Sequence, residues 1–540
     1  MRFTVLAAKA SAPEGADVAF LERSGWDDFG FQTLFELYYR DTDGTIHYVG
    51  AVKIGSFGLG RAGQPDVPDE FDQLDGQLFS LGQDDSYYAQ LNALGDQVRD
   101  EALAALNDVA VSPDLFARAL REPVTGKSLL RNVSRVTVRT QFNRLALGGA
   151  RLSAYEFTYS YPGASDGPQR ENLIHPASPV ARDDFGRGEP PSFLTFKVVP
   201  ESQPPTNVHV IIGRNGVGKS RLLNGIENAL IRPADSGHGK VDFWVTTAPT
   251  DVPGIAEMAG VSEQFANLVS VAFSAFDDFE PISSSQDRSR GVGYTYIGLK
   301  KKTGSGTEEA GGMKDPRALA VEFGNSVRIC LQGARLARWQ RALRVLESDP
   351  IFAEKEVASL AAESVDEEVL KTRARDLFRD LSSGHKIVLL TVTRLVESVE
   401  ERTLVLLDEP ESHLHPPLLS AFVRALSDLL VNRNGVAIIA THSPVVLQEV
   451  PRKCVWRLRR AGDSITAERP DIETFGENVG TLTSEVFGLE VTNSGFHRMI
   501  GEAAAGQASY RDVLEAFGGQ LGSEARALLQ ALVAAGGRGY

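Results

Sequence analysis

The sequence predicts an α/β fold with a mostly parallel sheet, and three observations carry that prediction. Short, almost wholly apolar runs recur at Val208–Ile212, Leu268–Phe273, Leu404–Leu407 and Val436–Ala440, the pattern of strands buried on both faces. Helical periodicities over 220–231 and 416–431 alternate with them, as strand–helix units require. The first run leads directly into Gly213-Arg214-Asn215-Gly216-Val217-Gly218-Lys219-Ser220, a full match to G-x-x-x-x-G-K-[ST].

Taken along the chain, the start, Met1–Ala10, reads as a first strand. Lys9 interrupts an apolar stretch too short for a secretory signal. Residues 31–39 and 46–52 are strand-like, joined by the turn Asp41-Thr42-Asp43-Gly44, in which glycine supplies the positive φ. An acidic Gly/Pro-rich stretch covers about 61–85, and helical periodicity covers about 86–122. Strand signals return at 133–141, 153–161 and 193–199, with Pro/Gly-rich joints at 182–192 and 200–206. Tyr155, Phe157 and Tyr159 share a face at period two, which predicts core rather than an adenine platform. Residues 281–317 read as an irregular insertion or hairpin, 318–383 as a helical insertion, and 454–458 as a strand before a helical tail. The expected division is 1–200, a mixed extension including antiparallel strands of the nucleotide-binding head; 201–470, the core with its insertion; and 471–540, helical.

Composition narrows the classes. With 540 residues, 42% apolar and 24% charged, the chain buries a sizeable core and is not disordered. The balance of 56 Lys+Arg against 71 Asp+Glu gives a charge of −15, so any nucleic-acid contact is local or delegated to a partner. Cys330 and Cys454 have no CxxC partner, which excludes a cysteine-built zinc site and points to a reducing, cytoplasmic setting. No run of 18 apolar residues spans a membrane.

The chemistry gathers at strand ends. Gly213, Asn215, Gly216 and Gly218 belong to a loop whose N–H groups face phosphates, ahead of a helix N-terminus. Lys219 is expected on the β/γ-phosphates of ATP and Ser220 on Mg²⁺. The run Thr403–Leu407 ends in Asp408-Glu409. A carboxylate at the tip of a buried strand needs a cation or a partner. Asp408 suits a Mg²⁺ ligand acting through water, and Glu409 suits the base that positions attacking water. His442, at the tip of the next strand, suits a γ-phosphate contact that orients that water. Upstream, Ser382-Ser383-Gly384 precede a helix and form a second anion-binding N-terminus.

This order of motifs resembles the ABC-type ATPases. The wording Leu407-Asp408-Glu409-Pro410-Glu411-Ser412-His413-Leu414-His415-Pro416 is similar to the non-transporter branch that includes RecF, SMC proteins and OLD-type nucleases. A narrower resemblance, in 437–449, Glu473–Asn478 and Ser494–His497, is to the PtuA family, ATPase subunits of the Septu antiphage system. The resemblance implies a homodimer, with higher oligomers open, in which ATP on the 213–220 loop of one copy is closed in trans by Ser382 and Gly384 of another. It also implies a separate HNH-type nuclease subunit and a role in antiphage defence. The chain departs from the family pattern where His385 replaces a glutamine and Ser383 a glycine. No Q-loop glutamine follows the strand at 268–273, where Ser274 or Asp277 would have to serve.

Two alternatives stay open: a RecF/SMC-like ATPase that binds DNA itself, and a nucleotide-gated scaffold with little turnover. The 90 or so residues after Pro451 hold no D-x-D, so no nuclease is expected within the chain. His413 and His415 suit a dimer contact better than a metal site. Arg335, Arg338, Arg341 and Arg344 recur every third residue around Trp339. They could touch nucleic acid or an acidic partner, but a solvated arginine face is the expectation.

Overall fold

Burial alternates strictly along Leu34–Arg40, whereas Val208–Ile212 and Val436–Thr441 are buried at every position. That contrast separates a sheet with one covered face from a sheet covered on both. In this computed structural model the described residues are 1–7, 12–60, 62–131, 133–149, 152–162, 193–232, 236–246, 256–258, 265–273, 292–301, 312–331, 334–361, 367–461, 464–487, 495–506 and 509–534.

The central sheet has seven strands in the order Gly293–Gly298, Asn267–Ala272, Thr403–Asp408, Val436–Thr441, Val208–Ile212, Val455–Ala461 and Ser464–Glu468. All neighbours are parallel except the last pair. A mixed α/β fold with a parallel sheet around a phosphate loop is thus the architecture. One face packs on the helical layer of Pro316–Cys330, Ala334–Leu346, Glu367–Asp380, Ser383–Ser398 and Pro416–Asn432. The other face meets the helix Lys219–Ile231 and a four-stranded antiparallel sheet, ordered Ala256–Met258, Lys240–Thr246, Tyr155–Ser160, Phe193–Val198. Tyr155, Phe157 and Tyr159 lie in that core, at most 2% exposed.

A separate six-stranded sheet, from Arg2–Leu6 to Leu78–Gly82, packs with helices Asp85–Leu94, Asp96–Ala105 and Pro113–Ala119 around its own core. Gly44, in the turn after Leu34–Arg40, has φ +82°. Within this core Lys53 donates to Asp28 at 2.6 Å and to the Ser128 carbonyl at 2.8 Å, and Arg131 also bonds Asp28. Burial pushes Asp28 up, but Lys53, Trp26 and Arg131 together outweigh it and hold the carboxyl below its usual 3.8. The stability this pair contributes is therefore present above that value and lost as pH falls through the lowered one. Lys53→Met is expected to destabilise this sheet by about 3–5 kcal/mol, because a buried carboxylate loses its nearest cation. Urea unfolding at neutral pH measures it, and a change under about 1 kcal/mol would contradict the assignment.

Polar pairs dock this layer on the core. Arg433 bonds Asp85, and Arg144 donates to Glu401 at 2.7 Å. Arg338 donates to Asp84 at 2.6 Å. The arginine row is therefore not a single solvated face. Arg338 turns inward and Arg335 is half-buried, while Arg341 and Arg344 are exposed. Trp339 is fully buried and donates to the Thr393 hydroxyl at 3.0 Å.

Three expectations about elements change. Most of 133–141 is helical rather than extended: Ser134 Oγ accepts from Thr137 N at 3.0 Å and caps α- and π-type turns running from Arg135 to Ala146. That local cap overrides β-branched propensity. Within 281–317, Gly293–Gly298 is an edge strand of the central sheet, which its glycine-rich flanks concealed. Ser464–Glu468 adds a further edge strand, antiparallel to Val455–Ala461. Ser274 and Asp277 lie outside the described residues.

Candidate nucleotide site

The parallel register brings the strand tips to one edge. Asp408 pairs with Ala440, Ala440 with Ile211, and Thr441 with Ile212. The strand carrying His442 therefore lies between the acidic strand and the phosphate-loop strand. Gly213 leaves the sheet so tightly that a Cβ there would lie 2.6 Å from the Leu458 carbonyl oxygen. Gly216 and Gly218 have φ of +78° and +101°, open to glycine at little cost. Gly218 caps the helix Lys219–Ile231, and Arg214, Asn215 and Gly216 are exposed.

Lys219 is 4% exposed. Its Nζ donates to the Gly213 and Arg214 carbonyls at 3.0 and 3.1 Å and lies 3.6 Å from Glu409 Oε1. Ser220 follows it, half-buried, in the first helical turn. Asp408 is half-buried at its strand end. Glu409 takes the left-handed conformation, φ 42°, while its N–H still donates to the Ala440 carbonyl at 2.9 Å. Such strain in a non-glycine residue collects at functional positions. It turns the chain out of the sheet and leaves the Glu409 side chain 31% exposed, within reach of water.

His442 Nδ1 lies 3.6 Å from Glu409 Oε1 and 3.1 Å from Glu411 Oε1. Glu411, which sequence reading passed over, fixes this corner. Its Oε1 accepts from the Thr441 hydroxyl at 2.5 Å and from His442 N at 2.7 Å. The second glutamate of Asp408-Glu409-Pro410-Glu411 was the available signal. Lys219, Glu409 and His442 thus form one cluster. Its donor set suits a triphosphate: a buried ammonium, a glycine cradle, and carboxylates plus the Ser220 hydroxyl for a divalent cation.

Ser382, Ser383 and Gly384 stand elsewhere, at the start of the helix Ser383–Ser398. Both serines are exposed, and Ser382 bonds to His385. Gly384 is buried, and a Cβ there would lie 2.5 Å from the His413 carbonyl oxygen. His413 and His415 are engaged within the chain: His413 meets the Phe273 carbonyl at 3.4 Å, and His415 Nδ1 accepts from Leu418 N at 3.3 Å. Both cysteines are buried, and burial pushes Cys454 up to about 12, so neither is a reactive thiolate.

Sheet order, phosphate loop and acidic strand end define the fold of a P-loop nucleotide-binding domain. Residues 332–448 match the family described as "AAA domain, putative AbiEii toxin, Type IV TA system". Protein ea59 of Escherichia phage lambda is 39% identical over 538 residues, spanning 95% of this chain and 94% of that protein. The chain belongs to the family of that phage protein. An inward-facing ABC transporter of metal-chelate type shares 16% identity over 62% of this chain and 88% of its own, at a TM-score of 0.26. Among the described residues no helix is long and apolar enough to cross a membrane.

Proposed function

We propose that the chain hydrolyses ATP as an ABC-type clamp: two copies close on nucleotide, and that closure controls a separate nuclease in antiphage defence, as in PtuA-type systems. The observation that carries the reading is the cluster of Lys219, Glu409 and His442 at one sheet edge, paired with a signature turn whose Ser382 and Ser383 face solvent. A second copy could supply those serines to the phosphate loop of the first. Gly213, Asn215, Gly216, Gly218 and Lys219 would hold the phosphates, and Ser220 and Asp408 would hold Mg²⁺. Bound Mg²⁺ supplies positive charge against the phosphate oxygens. Glu409 holds and deprotonates the attacking water, and His442, braced by Glu411, orients it toward the phosphoryl group. The matched family's description names a toxin of a toxin–antitoxin system, and the 39% identical relative is a phage protein.

The test is purification of the full chain from its native host with and without ATP, followed by sizing and partner identification. An ATP-dependent doubling of mass and a copurifying HNH nuclease are expected. A chain that turns over ATP as a monomer would overturn the clamp, and the absence of any nuclease would overturn the partner assignment.

A further inference from the structure

We propose that Asp349 and His385 are positioning residues for Ser382. They form a carboxylate–imidazole–hydroxyl relay that decides whether the signature turn offers a phosphate-binding donor to a second copy of this chain. The proposal rests on the ATP-clamp reading above and adds a proton to it.

Two segments build the relay, the turn holding Ser382 and His385 and, 36 residues before His385, the helix cap Asp349. Asp349 caps the short helix Pro350–Glu354, its Oδ1 accepting from Ile351 N at 3.0 Å and Phe352 N at 3.3 Å. His385 Nε2 meets the same oxygen at 3.0 Å, and His385 Nδ1 meets Ser382 Oγ at 2.6 Å. Asp349 and His385 side chains are 2% and 7% exposed, and the Phe352 ring stands edge-on to the imidazole at 4.9 Å. The ring is therefore held from both ends and along one side, while Ser382 itself is exposed. The chain thus places a buried imidazole where the related ATPases carry a glutamine.

The direction of each hydrogen bond follows from chemistry. A carboxylate only accepts, so His385 Nε2 carries a proton toward Asp349. A neutral imidazole then presents a lone pair at Nδ1, which takes the Ser382 O–H. In that state the serine shows only lone pairs outward and repels phosphate oxygens. When the imidazole gains a proton from solvent, Nδ1–H donates to Ser382 Oγ and the hydroxyl hydrogen turns outward to an anion. Grip on phosphate and protonation of His385 are thereby coupled.

Among the described residues, His415 also faces this cluster, with Nε2 3.8 Å from Asp349 Oδ2 and its ring 6.0 Å from that of His385. These three side chains lie within 4.8 Å of one another, as a metal site would require. The Leu418 N–H on His415 Nδ1 decides against it. A ring accepting at Nδ1 carries its proton on Nε2 and has no lone pair there for an ion.

The experiment uses the full chain in the Glu409→Gln background with ATP and Mg²⁺, sized by sedimentation equilibrium from pH 6 to pH 8. Two relays close in the dimer, so uptake of one proton at each weakens it by up to about a hundredfold per pH unit as pH rises. His385→Gln is expected to flatten that dependence, while His415→Gln leaves it in place. Asp349→Asn, which keeps a cap for Ile351 N and Phe352 N, is expected to weaken the dimer and flatten the profile. It serves as the second variant where His385→Gln does not fold. An unchanged pH slope in His385→Gln, or in Asp349→Asn, overturns the relay while leaving the clamp standing. Absence of an ATP-dependent dimer at every pH overturns the clamp, and with it the relay's role.

Discussion

Lys219→Ala is expected to weaken ATP binding by at least about 100-fold, equivalent to roughly 3 kcal/mol, and to abolish turnover. The buried ammonium is the cation of the cluster, 3.6 Å from Glu409, and it ties the phosphate loop together through the Gly213 and Arg214 carbonyls. Alanine removes the charge-assisted bonds to phosphate. It also leaves those carbonyls without their donor. Helix propensity does not suffer, since alanine is the best helix former, so folding is retained. Isothermal titration with ATP reads the affinity, and a thermal melt checks the fold. An unchanged Kd in a folded variant would remove nucleotide binding at this loop, and with it every functional reading offered for the chain.

Glu409→Gln is expected to lower the hydrolysis rate by about 10²–10⁴-fold, the range for removal of a positioned general base, while ATP affinity stays within a few-fold. Glutamine keeps the shape of the side chain, and the backbone bond from residue 409 to Ala440 does not depend on it. The variant cannot take a proton from water held beside His442. In the proposed clamp nucleotide then persists between the copies, so the dimer accumulates with ATP and not with ADP. Phosphate release measures the first effect and light scattering the second. Turnover within threefold of the parent would move the base to another residue, with Glu411 the next carboxylate on His442 Nδ1 at 3.1 Å.

How much of this was legible in the sequence depends on the range of the interaction concerned. The runs at Val208–Ile212 and Val436–Thr441 could be read as buried parallel strands because burial on both faces leaves no polar alternation. The phosphate loop and the Asp408-Glu409 end were visible for a similar reason. Each is a strand followed at once by a turn of fixed chemistry. Residues 133–141 were misread because a serine cap and tertiary burial outweighed valine's preference for strands. The strand Gly293–Gly298 was missed because an edge strand needs its neighbour's hydrogen bonds more than a run of its own.

The sequence by itself determined the fold class, the glycine-rich loop at 213–220 and the carboxylates and histidine at the strand tips. These are local patterns, and a parallel sheet carries every such tip to one edge whatever the intervening chain does. Only the tertiary structure decided what braces them. Glu411 reaches across 31 residues to His442, and Asp349 across 36 to His385. Arg338 turns away from solvent to Asp84, 254 residues distant. Such pairs leave no periodic trace, because their partners meet only after the helical layer and the N-terminal sheet have packed. The free energy of burying a charge then selects the partner that folding has placed beside it.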